Sequence, residues 1–375
     1  MRGRCLTLAI SLSIIAGPVD AQLSISGQAD FVALSGYDNP LNQAFRGDDP
    51  FNEVRLRIYG QHWVNDRIGV FTELLMDMRA DARVNGAYVV INRIADKDWL
   101  DARIGMAPSP LGNFGKRSTY FNQNSVVGVP LLWQYRTALD GGGQVNPQEV
   151  IARRDANNRG LPMMYDACWP ILAELSGAVG MFEYSVGGTA GAVSNPQRSL
   201  RVPGWQVLSR VGIQPMIGLT FGISAAYGPY IGEAYDPLLA SPPVVRPQDE
   251  QQVLFGYDFE YARGRLQLFS EGFVNRWDTR FIPEGLKLRS GYVEARVDVS
   301  PQLYVGGRIG GMDFSAIDVA GQPENWDDDL WRWESAIGYR MAREVSLRLA
   351  WQHWHYTSGI DANQNVLALQ LSAVF

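Results

Sequence analysis

Apolar and polar residues alternate along much of this chain, and the stretch NVLALQLSAVF at 365–375 shows the pattern most clearly. Leu367, Leu369, Leu371, Ala373 and Phe375 fall on one face, and Ala368, Gln370 and Ser372 on the other. A period of two is that of a strand whose faces meet unlike surroundings. Chain ends are ordinarily frayed and polar. Here the apolar face runs on to Phe375, so the pattern predicts a last strand built into a sheet.

The same alternation recurs at 23–35, 52–64, 67–78, 85–94, 99–106, 171–176, 181–190, 204–213, 217–227, 251–261, 265–276, 286–298, 303–312, 328–340 and 345–356, which with 365–375 makes sixteen predicted strands. Their connections alternate in length. ND at 65, ADKD at 95, QPM at 214, ARG at 262 and SPQ at 300 are short. Between them lie longer stretches at 36–51, 107–170, 228–252 and 313–327. All the tight turns then share one end, which is the layout of an all-β, up-and-down antiparallel transmembrane barrel. Closure pairs the strand at 365–375 with LSISGQADFVALS at 23–35 and gives Phe375 a place in the interfacial aromatic girdle. A soluble β-sandwich would also alternate. The asymmetry of the turns and the apolar terminus favour the barrel.

The first residues, MRGRCLTLAISLSIIAGPVDAQ, carry Arg2 and Arg4, then an apolar run, then Val19-Asp20-Ala21. That order reads as a secretory signal removed after Ala21, leaving 22–375 as one barrel domain with 107–170 as a long constriction-type loop. Of the two cysteines, Cys5 leaves with the signal and Cys168 has no partner for an intrachain disulfide. The stretch at 211–232 is uncharged, yet Gln214, Pro215 and its glycines break it up as a membrane helix, and it reads as a hairpin flank. The chain is 46% hydrophobic and 19% charged, with a net charge of -6. Mild acidity argues against a nucleic-acid partner.

With the signal, sixteen strands, a strand ending in Phe375 and a very long loop after the fifth strand, the chain resembles the Gram-negative porins. The segment DWLDARIGMAPSPLGNFG at 98–115 is similar to the corresponding part of the phosphate-selective porin O/P group. The resemblance implies a cell outer-membrane location, a homotrimer in outer-membrane lipid, and delivery by barrel-assembly machinery through the C-terminal strand. It also implies that 107–170 folds into the barrel and narrows it. The group's phosphate selectivity goes with lysine-rich lumens, and this chain departs from that with Lys97, Lys116 and Lys287 alone.

A sixteen-strand barrel is too wide for its own side chains to fill, so selectivity must come from the lumen wall and the inserted loop. The loop carries Lys116, Arg117, Arg136, Arg153, Arg154 and Arg159 against Asp140, Glu149, Asp155 and Asp166. Polar faces of the strands add Arg55, Arg57, Arg103, Arg210, Arg296, Arg308, Arg332 and Arg348, the last four on four successive strands. Carboxylates that could oppose them include Glu53, Glu73, Asp101, Glu271, Glu294, Asp298 and Glu334. An unopposed arginine row concentrates anions, and an opposed one makes a transverse field. Ion pairing on a wet face is the plainer account of any single arginine.

Other groups carry less. His353 and His355 share the apolar face, where an interfacial aromatic setting explains them better than a metal, since no third ligand is evident. His62 stands alone, and three histidines place no nucleophile, base and orienter together. The acidic runs NWDDDLW and RGDDPF could bind Ca²⁺, but neither has EF-hand spacing, and solvated loop charge explains both. No cofactor is expected. The chain reads as a passive channel for small hydrophilic solutes and ions, with a mild preference for anions. The alternatives are a selective uptake channel for phosphate or another anion, and a plugged outer-membrane enzyme or adhesin.

Overall fold

The computed structural model describes residues 23–35, 54–77, 80–119, 124–141, 146–156, 160–165, 169–198, 200, 204–231, 250–357 and 364–375. The expected signal segment at 1–21 lies outside them, as do RGDDPF, Glu53, Arg159, Asp166 and Cys168. The strands are β1 (Leu23–Ser35), β2 (Val54–Trp63), β3 (Ile68–Asp77), β4 (Ala80–Ile91), β5 (Asp101–Met106), β6 (Ile171–Val179), β7 (Phe182–Ala190), β8 (Trp205–Met216), β9 (Leu219–Pro229), β10 (Gln251–Arg263), β11 (Leu266–Thr279), β12 (Ile282–Asp298), β13 (Leu303–Phe314), β14 (Ala316–Val319), β15 (Gln322–Asn325), β16 (Leu330–Arg340), β17 (Val345–Tyr356) and β18 (Gln364–Val374). Sixteen of them close into one antiparallel barrel in chain order, with β18 pairing β1, while β14 and β15 form a separate hairpin.

The sixteen barrel strands match the sixteen alternating segments, and the period of two is the reason. On β18, Leu367 and Leu369 point outward and are exposed, while Ala368, Gln370 and Ser372 point inward and are buried. Trp331, Trp333, Ile337 and Tyr339 repeat this on β16, and Leu349 and Trp351 on β17. Closure is completed at the seam: Gly27 N–H donates to the Phe375 carbonyl at 2.7 Å, and Phe375 N–H donates back at 3.0 Å. The Phe375 ring lies across Gly27, where a Cβ would come within 2.3 Å of it. No described helix is long and apolar enough to cross a membrane.

Two connections at the long-loop end are tighter than the alternation of short and long stretches predicted. β4 begins at Ala80, close behind β3, and only residues 280–281 join β11 to β12. The β14–β15 hairpin was not predicted. It folds inside the stretch expected to be a plain loop, around a turn at Ala320 and Gly321 that both take positive φ.

Candidate functional site

Three short helices lie between β5 and β6: α1 (Phe114–Thr119), α2 (Leu131–Gln134) and α3 (Pro147–Asp155). The chain around α1 and α2 packs against side chains that point into the barrel. Leu111, Phe114, Leu132, Trp133, Tyr135, Met163 and Met164 join a buried apolar cluster with Phe269, Phe273, Trp277, Leu288, Phe314, Leu330 and Trp354 of β11–β17. Val126 and Val127 pack on Val32, Ala336, Ala350 and Ala368 nearer the seam. Burial on this scale is the main force holding the loop in place, at about 1.5–3 kcal/mol for each large side chain removed from water.

Beneath that apolar layer runs a belt of charged side chains fixed by strand register. Arg308 sits opposite Glu294 on one neighbour and Glu334 on the other. Its Nε donates to Glu334 at 2.6 Å and its Nη1 to Glu294 at 3.3 Å. Arg117 reaches down from α1 to Glu294 at 3.0 Å and to the Tyr292 hydroxyl at 3.1 Å. Arg332 pairs with Glu334 at 3.0 Å and lies 4.9 Å over the Trp354 ring. These groups are between 0 and 7% exposed. Buried charges hold only when paired and hydrogen-bonded.

The belt also supplies the loop's missing backbone partners. Glu271 accepts from the N–H groups of Asn113 and Phe114, and its other oxygen from the Trp133 indole at 2.9 Å. Arg308 Nη2 donates to the Gly128 carbonyl at 2.6 Å, and Arg332 donates to that of Val129. Ser125 N–H donates to Glu294 at 3.1 Å. Irregular backbone inside a barrel must be satisfied by something other than a strand neighbour. Here wall charges do it. Higher up, Asp327 of NWDDDLW accepts from the Tyr135 hydroxyl at 3.0 Å and from Ala138 N–H at 2.7 Å, so this acid also tethers the loop.

The opposite wall is different. Between β4–β8 and α1 lies a cavity of about 550 Å³ lined by Arg103, Lys116, Glu174, Glu183 and Arg210, with Asp98 and Asp101 among its other residues. Arg103 Nε donates to Glu174 at 2.9 Å. Arg210 is held by Asp258 at 2.7 Å and also contacts Glu183. Lys116 projects from α1 with 53% of its side chain exposed, and lies 3.7 Å from Glu183. Burial of its stem and the neighbouring Arg210 charge hold Lys116 below the usual lysine range.

The remaining predicted residues fall in three places. Arg55 and Arg57 are buried on the inner face of β2. Arg296 pairs with Asp298 at 2.8 Å and lies over the Tyr304 ring, while Arg348 donates to the Tyr304 hydroxyl and to Gln370. Arg136, Arg153 and Arg154 stay within the loop and at the outer hairpin: Arg136 donates to the Gly160 carbonyl, Arg153 pairs with Asp140 at 3.0 Å, and Arg154 donates to the Asn325 carbonyl at 2.6 Å. His353 and His355 sit among Trp333 and Trp351 on the outward face. Sequence reasoning counted Lys116 among the loop charges without singling it out, and passed over Glu174 and Glu183. The run VVGVPLLW at 126–133 was the available sign that the loop carries its own apolar layer.

Fold and lumen together define a sixteen-stranded antiparallel barrel with a loop packed against its inner wall. The solved structures it is similar to include outer-membrane channels and porins. An anion-selective porin from Comamonas acidovorans aligns with a TM-score of 0.60 at 10% identity, covering 95% of this chain and 100% of that one. The outer membrane channel DcaP of Acinetobacter baumannii gives 0.56 at 11%, covering 95% and 97%. OmpF of Salmonella typhi, solved with daunomycin, gives 0.57 at 10%, covering 95% and 98%. No family model and no curated protein matches the sequence.

Proposed function

We propose that the protein is a narrow, passive outer-membrane channel for small hydrophilic solutes and ions, and that the solute path runs through the cavity on the β4–β8 side. The observation that carries this reading is the division of the lumen. One wall is sealed by apolar packing and buried ion pairs, and the other keeps a polar cavity of about 550 Å³. No reaction is part of it. Residues 107–170 act as the constriction, and three copies associate in the membrane, as in the Vibrio cholerae OmpT structure described as a trimer form.

An anion preference would come from unopposed arginines. Here Arg103, Arg210 and Arg308 each face a carboxylate. The cavity sets Arg103, Lys116 and Arg210 against Asp98, Asp101, Glu174 and Glu183. Charge preference is therefore weak and set by single residues, with Lys116 more exposed than the cavity's Arg103 and Arg210. A phosphate-selective channel, implied by the 98–115 resemblance, would need cations left open to the solute. The apolar filling favours a second reading, a plugged barrel with another task.

Recordings from purified protein in planar bilayers separate these. The channel reading expects small, stable conductance steps, and a reversal potential in a KCl gradient that moves toward cation selectivity in Lys116→Glu. Phosphate block of chloride current at low concentration would favour the selective channel. Absence of current would favour the plugged barrel.

A further inference from the structure

The cavity on the β4–β8 side has its open charges sorted along its length. β5 climbs from the short turn at 92–100 toward the long loop, and Asp101 and Arg103 stand two residues apart on it, both lining the cavity. That spacing puts them on one face about 7 Å apart. Asp98 lines the cavity from the short turn, and Lys116 lines it from α1, beyond the loop end of β5. The two aspartates therefore lie toward the tight turns, and Arg103 and Lys116 toward the loop.

Hydrogen bonding separates the groups already engaged from those left open. Arg210 is engaged throughout: its Nε and Nη2 donate to Asp258 and its Nη1 to Glu183. Glu174 takes Arg103 on one oxygen and the Ser185 hydroxyl on the other. Asp101 accepts from Arg93 N–H at 2.8 Å through Oδ1 and keeps Oδ2 open. Among the described residues Asp98 accepts no hydrogen bond, and neither aspartate has an ion pair. On the cationic side Arg103 uses Nε and Nη2 and keeps Nη1. Lys116, 3.7 Å from Glu183, stands beyond hydrogen-bond reach of it. A lone anion entering here meets the aspartates and a lone cation meets Arg103 and Lys116, so each is disfavoured at one end. A solute with an amine at one end and a carboxylate at the other answers both.

We propose that the cavity binds a short peptide of two or three residues as an extended zwitterion, its amino terminus at Asp98 and Asp101 and its carboxylate at Arg103 Nη1 and Lys116. The spacing sets the length. A free α-amino acid carries both charges on one Cα, within about 4 Å, while an extended dipeptide spans about 7 Å. The volume of about 550 Å³ lies inside the roughly 300–1,000 Å³ range of small-molecule sites. The inference rests on the channel reading for the solute path through this cavity, and adds the class of solute that pauses there.

Isothermal titration calorimetry of the detergent-purified protein with diglycine, glycine, N-acetyl-diglycine and diglycine amide tests this. Wild type is expected to bind diglycine, and to bind glycine and each capped peptide at least tenfold more weakly. Asp98→Asn with Asp101→Asn, where an amide oxygen can keep the Arg93 contact, is expected to weaken diglycine at least tenfold and to leave N-acetyl-diglycine as in wild type. Lys116→Gln is expected to weaken diglycine and to leave the amide unchanged. The capped peptides are read on wild type, so the test stands even where a variant does not fold. Equal binding of capped and uncapped peptides, or no binding of diglycine, would overturn the proposal. Planar-bilayer recordings keep it apart from the channel reading, since bound diglycine is expected to interrupt the KCl current. Binding without any current would keep the site and overturn the channel, and current with no diglycine binding would keep the channel and overturn the site.

Discussion

The two sides of the lumen are built from the same kind of strand and end in opposite states. Along β11–β17 the inward residues are large and apolar above and charged below, so the loop seals against them, and Glu271, Glu294, Arg308 and Arg332 hold it. Along β5–β8 the inward set is smaller, with Ser176, Ser185 and Gly187 among the charges, and a cavity stays open. The lesson is that an inward arginine says little about a pore until its neighbours are known. Arg308 and Arg103 both pair with glutamates, yet one fastens a plug and the other faces the cavity.

The sealed side is where damage should be largest. Arg308→Ala would leave Glu294 and Glu334 buried with one arginine each, Arg117 and Arg332, and is expected to cost about 3–5 kcal/mol. Urea unfolding in lipid vesicles, followed by tryptophan fluorescence, would measure it. A cost below about 1 kcal/mol would mean that water or ions reach the belt. Leu132→Ala opens a void in the apolar layer and is expected to cost about 2–5 kcal/mol. Its second signature is a larger and noisier conductance as the loop loosens.

On the open side the effects are on ions rather than folding. Lys116→Glu should shift stability by less than about 1 kcal/mol, since the side chain is half exposed, and should move the reversal potential toward cation selectivity. Because burial and the Arg210 charge favour neutral Lys116, wild type should lose this positive charge at a lower pH than an ordinary lysine would. Cation preference should therefore rise as pH climbs through the alkaline range, and Lys116→Gln should abolish that dependence. The smallest effect is expected from Arg153→Glu with Arg154→Glu. Arg153 pairs within the loop and Arg154 with the outer hairpin, so selectivity should stay as in wild type, and a marked change would place the solute path through the outer loops.

Much of the barrel was legible because membrane and lumen impose a period of two that the residues must follow. The sixteen strands and the seam at Phe375 follow from it. Boundaries slipped where the period breaks. β12 starts at Ile282, before the predicted 286, because Gly285 takes a positive φ and interrupts the alternation. β4 starts early across register shifts around Glu73 and Leu75.

The lumen was harder to read. Parity placed Arg308, Glu294 and Glu334 on the wet face, but which charge meets which depends on register between strands, and Arg117 meets Glu294 across 177 positions of chain. Counting charges at 107–170 also hid the decisive feature. The loop's apolar residues, from Leu111 to Met164, outweigh its arginines in fixing where it lies.

The division of the lumen is tested most directly by thiol accessibility during conduction. In a Cys168→Ser background, a cysteine is placed at Ser176 in the cavity or at Gln352 on the sealed side, and a charged methanethiosulfonate reagent is added to a bilayer carrying steady current. The account predicts that current through Ser176→Cys falls at once, while Gln352→Cys, at a position 0% exposed, does not respond. Block at Gln352→Cys with none at Ser176→Cys would contradict it and put the solute path along the wall that this structure shows sealed.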